Sequence, residues 1–331
     1  MSFKIVAYGV RNTEIPYFNE LNKNHYELKL IPELLSHDNI ETTKGMDGVL
    51  LRANCVADKT NLDQMKKWGI KYVFTRTVGY NHIDLAAAHK NHQLVARVPA
   101  YSPHAVADLA FTLGLSLQRH VSLATFNSKN MDFRITPEEF SLEIPDLTIG
   151  IVGTGHIGLT EAKNYKALGS TVLGYDVYQS AEAKKIVKFV KQEDLFAQSD
   201  IISLHVPYFP GKNDQFINSE LISLMKPTAL LVNTARAEIV KTSDIISAIK
   251  KKQLGGFATD VITHEKDYFG QKVTKISDPQ LQELINLYPR VLITPHIGSY
   301  TKKALIDMIQ ISYENFHDVL TTGTTKNLIQ E

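Results

Sequence analysis

The sequence predicts an α/β protein built from two doubly wound parallel sheets, one inserted into the other. Three observations carry this. Short β-branched runs alternate with longer amphipathic stretches almost throughout, the pattern of parallel strands covered by helices on both faces. A glycine-rich turn, "GTGHIG", stands between an apolar strand and a helical stretch near the middle. The chain of 331 residues is also long enough for two hydrophobic cores.

In the first part the candidate strands are "KIVAYG" (4–9), "GVLLR" (48–52), "YVFTR" (72–76) and "QLVARVP" (93–99). Helix-like stretches such as "NLDQMKKWG" and "IDLAAAHKN" lie between them. Residues 102–121 read as one long helix, with Ser102 as its cap and Pro103 in its first turn. A second series follows a polar stretch: "TIGIVG", "TVLGYD", "IISLHVP", "ALLVNTA", "GFATDV" and "VLITPH". Six strands with helical connections make a second doubly wound sheet. The tail, "KKALIDMIQISYENFHDVLTTG", is a long amphipathic helix. Placing it with the first sheet gives one domain of residues 1–101 plus 300–331 and an inserted domain of residues 102–299.

Composition narrows the partners. Hydrophobic residues make up 44% and charged residues 21%, with a net charge of +1. No global field is present to gather nucleic acid or an acidic membrane. No apolar stretch approaches the roughly 18 residues a membrane helix needs. The N-terminal residues enter a strand pattern directly, without a signal-peptide layout. Cys55 is the single cysteine, so neither an intrachain disulfide nor a cysteine metal cluster is expected, and no metal is expected. A cytoplasmic location is the expectation.

The glycine turn is the first chemical motif. Gly153, Gly155 and Gly158 form G-x-G-x-x-G, with His156 and Ile157 between the last two. The first glycine permits the tight turn, the second lets backbone approach a diphosphate, and the third lets helix pack on strand. The helix N-terminus offers N–H groups and a favourable dipole to phosphate. The next strand ends in Asp176, where an acid holds ribose hydroxyls and repels a 2′-phosphate, so NAD is expected over NADP. The plain alternative is a glycine-rich turn beside a solvated acid.

Three ionisable residues stand at or beyond strand ends in the second series: Arg236 after "LLVNTA", Glu265 after "ATDVITH" and His296 at the end of "VLITPH". Ligands of doubly wound sheets bind beyond these ends. An arginine fork suits a carboxylate, and a histidine suits proton exchange near neutral pH. A carboxylate beside that histidine fixes its ring and favours its acid form. With a nicotinamide, these parts suit hydride transfer between 2-hydroxy and 2-oxo acids. Each residue alone reads more simply as a structural histidine or an ordinary ion-pairing group. His205 ends "ISLH" beside the glycine turn and reads as part of the cofactor wall; His264 has no clear role.

Taken together, "VGTGHIG", "LHVP", "NTAR", "FATDV" with Glu265 after it, and "ITPH" resemble the D-isomer-specific 2-hydroxyacid dehydrogenase family. The resemblance covers essentially the whole chain. "VPAYSPHAVAD" resembles the family's hinge and "TRTVGYNHID" its first-domain substrate loop. It implies an inserted Rossmann NAD-binding domain and a flavodoxin-like substrate domain. It implies that His296 is the proton donor supported by Glu265, and that Arg236 holds the substrate carboxylate. Backbone N–H groups at Val78 and Gly79 would assist, Tyr101 would line the pocket, and Asp260 would act behind the reacting groups or toward the cofactor. His205, Val206, Pro207, Thr234 and Ala235 would line the cofactor site. A homodimer is implied, with a small 2-oxo or 2-hydroxy acid as substrate. Ala237 and Lys241 depart from the family pattern, in which a glycine and an acid are common.

Arg52 raises the sharpest question. It ends "GVLLR", where the chain leaves a first-domain sheet. "LLRANC" and its surroundings resemble (R)-2-hydroxyglutarate dehydrogenases, which implies that Arg52 pairs with a distal carboxylate. An arginine braced by backbone carbonyls or a nearby acid is the competing reading. Pyruvate and 2-oxoisocaproate therefore stand beside 2-oxoglutarate as substrates, with a phosphorylated hydroxy acid behind them. A non-catalytic NAD(H) sensor is the alternative of another class.

Overall fold

The structure, a computed structural model, describes residues 2–329; the outer ends of the expected first domain, residues 1 and 331, lie outside them. The chain divides into two compact units. Unit 1 comprises residues up to Ser102 and from Tyr300 onward, and unit 2 runs from Pro103 to Ser299.

Unit 1 begins with β1 (Lys4–Tyr8), α1 (Ile15–Leu21), β2 (Glu27–Ile31), β3 (Gly48–Leu51), α2 (Lys59–Lys67), β4 (Tyr72–Thr75) and α3 (Leu85–Lys90). The strands form a parallel sheet in the order β2-β1-β3-β4. Side-chain caps start two of the helices: Asp58 accepts from Asn61 N at 3.1 Å and Asp84 from Ala87 N at 2.9 Å. Two expectations change here. "QLVARVP" makes only isolated bridges, Tyr72 with Leu94 and Ala96 with Leu328; its backbone bonds to β4 through Leu94 and Ala96 on one side and to Asn327 and Ile329 near the end of the chain on the other. The strand Glu27–Ile31 was not foreseen; it lies at the sheet edge, half exposed, and "ELKLI" is too short and too polar to stand out.

Unit 2 continues with α4 (Pro103–Gln118), α5 (Val121–Lys129), β5 (Thr148–Val152), α6 (His156–Ala167), β6 (Thr171–Tyr175), α7 (Ala183–Ile186), β7 (Lys188–Phe189), α8 (Gln192–Gln198), β8 (Ile201–Leu204), α9 (Ser219–Leu224), β9 (Leu230–Asn233), α10 (Thr242–Lys250), β10 (Gly256–Thr259), α11 (Pro279–Asn286) and β11 (Val291–Ile293). All seven strands are parallel, in the order β11-β10-β9-β8-β5-β6-β7. The two-residue strand β7 adds to the six expected. The helix expected over 102–121 is α4, one helix that stops at Gln118; His120 adopts φ +51°, and the chain restarts as α5. Helix α4 packs Ala110, Leu113 and Leu117 against Ile149, Ile151 and Val232 on one sheet face. Leu231, Ile245, Ile249 and Phe257 belong to the core on the other face. The direction of winding reverses between β5 and β8, which opens a crevice beyond their carboxyl ends.

The remaining helix, α12 (Lys302–Thr322), belongs to unit 1. Thr301 caps its start and Gly323 ends it at φ +80°. Ile309, Tyr313, Phe316 and Val319 pack with Ile5, Leu50 and Phe74, and the Phe74 and Phe316 rings lie 4.5 Å apart. Each such buried side chain contributes about 1.5–3 kcal/mol, so unit 1 depends strongly on this late helix.

Candidate active site

The glycine turn leaves β5 and enters α6. Gly153 has φ +93°, and a Cβ there would come within 2.6 Å of the His205 carbonyl oxygen. A Cβ on Gly158 would meet the Gly153 oxygen at 2.0 Å, so turn and helix pack without room for a side chain. Gly155 differs: nothing lies within 4 Å of a Cβ built there, and both it and His156 are exposed at the helix start. That open, N–H-rich face suits a diphosphate.

Asp176 follows β6. Its carboxylate accepts from Thr154 N at 2.6 Å and from Tyr178 N at 2.9 Å, so its position relative to the turn is fixed. Thr234, after β9, buries a hydroxyl with no hydrogen-bond partner among the described residues. Ala235 and Val206 are half-buried and Pro207 exposed along the same strand ends. The glycine cradle, the fixed acid and the orphaned hydroxyl fit an adenine dinucleotide.

The imidazole of His205 faces inward. Its Nε2 meets Glu161 of α6 in a very close contact and Ser203 Oγ at 3.1 Å. The side chains of His205 and Glu161 are 2% and 0% exposed. The expected wall residue is thus a buried couple with a glutamate that sequence reading passed over, since Glu161 lies in an otherwise ordinary helical stretch.

His296 and Glu265 come together as expected. Nδ1 of the ring lies 3.1 and 2.9 Å from the two Glu265 oxygens. Both groups stay accessible, His296 at 39% and Glu265 at 21%. A ring held through Nδ1 presents Nε2 outward, the arrangement of an acid–base histidine with an orienting carboxylate. His296 adopts φ +53°, a costly conformation for a non-glycine residue.

Asp260 holds that turn. It is 2% exposed and accepts from Thr294 Oγ1 at 2.6 Å, Ile297 N at 2.9 Å and Gly298 N at 2.8 Å, while its carbonyl accepts from His296 N at 3.0 Å. Burial pushes its carboxyl up, against the pull of these hydrogen bonds and of His296. Its oxygens are therefore engaged with the turn that carries His296. Thr294 was not foreseen, although it precedes the "PH" of the same strand end.

Arg236 is placed by Asn233, a 1% exposed residue whose amide donates to the Arg236 carbonyl at 2.9 Å and accepts from Ala235 N at 3.0 Å. The guanidinium reaches only its own loop, donating to the Ala235 carbonyl at 2.7 Å. Among the described residues no carboxylate pairs with it. An unpaired, half-buried arginine at a strand end can hold an anionic substrate.

In unit 1, Arg97 donates to the Val78 carbonyl at 3.1 Å and Thr77 Oγ1 to the Gly79 carbonyl at 2.7 Å. These bonds fix the loop, and neither Val78 N nor Gly79 N donates to another described group. Tyr101 is half-buried in the coil before α4. Arg52 follows β3 and donates to the Gly9 carbonyl at 3.3 Å. Burial, with repulsion from Arg11 and Arg76, pushes its guanidinium down to about 10.

A dinucleotide cradle and an open histidine–carboxylate couple in one doubly wound unit define an NAD-linked oxidoreductase. Comparison with known proteins agrees. Residues 111–298 match the model of the D-isomer specific 2-hydroxyacid dehydrogenase NAD-binding domain. D-lactate dehydrogenase of Lactiplantibacillus plantarum is 34% identical over 325 residues, 97% of each chain. An aromatic 2-oxoacid reductase of Clostridium sporogenes is 32% identical over 327 residues, 98% of each. The solved structure of D-lactate dehydrogenase with NAD+ from Lactobacillus jensenii aligns with a TM-score of 0.86 at 33% identity, covering 99% of this chain and all of that one. The chain belongs to the D-isomer specific 2-hydroxyacid dehydrogenase family. It is an NAD-dependent oxidoreductase acting on 2-hydroxy acids.

Proposed function

We propose that this enzyme reduces 2-oxo acids to (R)-2-hydroxy acids, with a dicarboxylic acid such as 2-oxoglutarate as its preferred substrate. NADH supplies the hydride. Gly153, Gly155, His156, Ile157 and Gly158 hold its diphosphate, and Asp176 holds a ribose. Val206, Pro207, Thr234 and Ala235 line its path, and His205 supports the wall from beneath. Arg236 grips the 1-carboxylate, with the Val78 and Gly79 N–H groups and Tyr101 assisting. His296 delivers the proton to the carbonyl oxygen from Nε2, and Glu265 stabilises the protonated ring that must donate it. Asp260 acts by keeping the His296 turn in place, and so serves the chemistry rather than the cofactor.

The observation that carries the reaction is the bidentate His296–Glu265 contact on an accessible ring. The observation that supports a dicarboxylic substrate is Arg52, partly buried with no paired carboxylate among the described residues. Such a cation gains from an anionic partner and gains nothing from an apolar one. Similarity to D-lactate dehydrogenases favours a second reading, pyruvate reduced to D-lactate, and D-2-hydroxyisocaproate formation is a variant of it.

Steady-state NADH oxidation with 2-oxoglutarate, pyruvate and 2-oxoisocaproate decides between them, on the wild type and on Arg52→Leu. We expect 2-oxoglutarate to lead and the variant to lose it selectively. Pyruvate leading, with Arg52→Leu indifferent, establishes the second reading. No turnover of any 2-oxo acid would return the sensor alternative.

We place the enzyme in the cytoplasm as a homodimer. Support for pairing comes from a segment with Met131, Phe133, Ile135 and Phe140 at 76–93% exposure, an apolar surface that a second copy can cover. Sedimentation velocity of the wild type and of Ile135→Asp tests it: a dimer should give way to monomer.

A further inference from the structure

Three neighbouring strands of unit 1 lead into arginines at their carboxyl ends. Strand β1 is followed by Gly9 and Arg11, β3 by Arg52 and β4 by Arg76. Leu51 pairs with Thr75 in register, so Arg52 and Arg76 emerge at the same level. Parallel strands bring these ends to one edge of the sheet.

Their counter-charge is one acid, Glu14, fully buried before α1. It is consumed by Arg76. Arg76 Nη1 and Nη2 donate to its two oxygens at 3.0 and 3.1 Å, and Nη2 also reaches the Gly9 carbonyl at 2.9 Å. Glu14 further accepts from Arg11 N at 2.8 Å. Burial pushes the Glu14 carboxyl up, but the Arg76 charge and these hydrogen bonds bring it below the usual range. The Glu14–Arg76 pair is thus closed on itself.

Arg11 and Arg52 are left over. The stem of Arg52 lies against Gly9, where a Cβ would meet its Cδ at 2.9 Å, so the glycine makes its path. Its head has one long bond, to a carbonyl that Arg76 already uses. The Arg11 guanidinium lies 4.2 Å over the Tyr300 ring, and the Tyr300 hydroxyl is tied to Thr13 Oγ1 at 2.9 Å. Stacking fixes the plane of Arg11 and leaves its edge donors unused by any described residue. Two guanidiniums that repel each other, each oriented and neither paired with a carboxylate, make an anion seat.

We propose that Arg11 is a second specificity-determining residue, which with Arg52 forms a two-guanidinium seat for the distal carboxylate of a dicarboxylic 2-oxo acid. The inference rests on the dicarboxylate reading above and adds a residue to it. Arg76 takes no part in binding; it neutralises Glu14, which otherwise would occupy the seat's charge.

The test compares 2-oxoglutarate with 2-oxopentanoate, a chain of equal length carrying a methyl in place of the distal carboxylate. Both are reduced with NADH by the wild type, Arg11→Gln, Arg52→Leu and the double variant. Loss of a charge-assisted bond predicts that Arg11→Gln raises KM for 2-oxoglutarate about 10- to 100-fold. KM and kcat for 2-oxopentanoate should hold within about twofold, on the scale of a remote surface change. The double variant should lose less than the product of the single losses, because both arginines hold one group. If the wild type does not favour 2-oxoglutarate, the dicarboxylate reading falls and this proposal with it. If it does, and Arg52→Leu loses the preference while Arg11→Gln keeps it, Arg11 alone is excluded. Equal loss on both substrates also overturns the proposal, since it marks a structural arginine. Should the glutamine variant fail to fold, Arg11→Lys retains charge without the flat stack. It should raise the 2-oxoglutarate KM alone, by about threefold, a fraction of a charged bond.

Discussion

Unit 2 contains two histidine–glutamate couples, and they have opposite characters. His205 follows β8 in the middle of the sheet, and His296 follows β11 at its edge. Each meets one glutamate through a ring nitrogen. The His205 couple is sealed at 2% and 0% exposure, with one Glu161 oxygen left without a partner. The His296 couple is open at 39% and 21%. His296 also stands in a left-handed backbone conformation held by Asp260, whereas His205 continues the strand end. Residue type therefore assigns no role by itself. Access for a substrate atom and a braced, strained turn set the proposed proton donor apart from a buried support.

The largest effect that would sharpen this contrast is at His296. His296→Ala should lower kcat about 10³-fold, close to 4 kcal/mol of barrier, with NADH affinity unchanged by fluorescence titration. A loss below tenfold breaks the comparison, since another acid then donates the proton. Next comes the sealed couple. Glu161→Leu should lower stability by about 3 kcal/mol in urea unfolding, because the change takes the carboxylate partner from a buried polar ring and leaves it Ser203 alone. The kcat of folded protein should stay within about threefold. A thousandfold kcat loss with unchanged stability would give the buried couple a catalytic part.

Glu265→Gln should cost about 30-fold in kcat, or 2 kcal/mol. A loss below threefold would leave Glu265 as scaffolding only. The smallest effect concerns a third histidine, one without a carboxylate. His82 lies against Thr75 Oγ1 at 3.2 Å, and burial pushes its ring down to about 4. The unfolded ring binds a proton near pH 6.5 and the folded one does not. This stability contribution is therefore complete above pH 6.5 and lost as pH falls from there toward 4. His82→Gln should reduce that acid sensitivity, read as a smaller fall of the urea midpoint across the window. No change would mean that water reaches the ring.

What sequence made legible follows a physical line. Motifs that depend on backbone shape were readable: Gly153 and Gly158 have no space for a side chain, so their spacing has one sensible explanation. Strand-end placement brought Glu265 and His296 into view as partners, and the structure joins them. Residues whose role depends on what faces them were not readable. Glu161 gains its meaning from His205, which lies well beyond it in sequence, and Asn233 from the loop it ties. Arg76 ended a quoted strand just as Arg52 did, yet only Glu14 separates a satisfied arginine from a waiting one. The break at His120 rests on one positive φ, which a helical hydrophobic pattern does not display. The edge strands β2 and β7 were missed because short, half-exposed strands carry too little alternation to be seen.

Helix α12 has a consequence for the birth of the molecule. Unit 2 is continuous from Pro103 to Ser299, so all its strands are available once that stretch has been synthesised. Unit 1 is not: the sheet β2-β1-β3-β4 is made first, but Tyr313 and Phe316, which cover Ile5 and Phe74, come after the whole of unit 2. During translation, at about 5–20 residues per second, the early sheet waits tens of seconds with one apolar face bare. The first-made part of the chain is thus the last to close, and it is the part most in need of chaperone cover while the ribosome works.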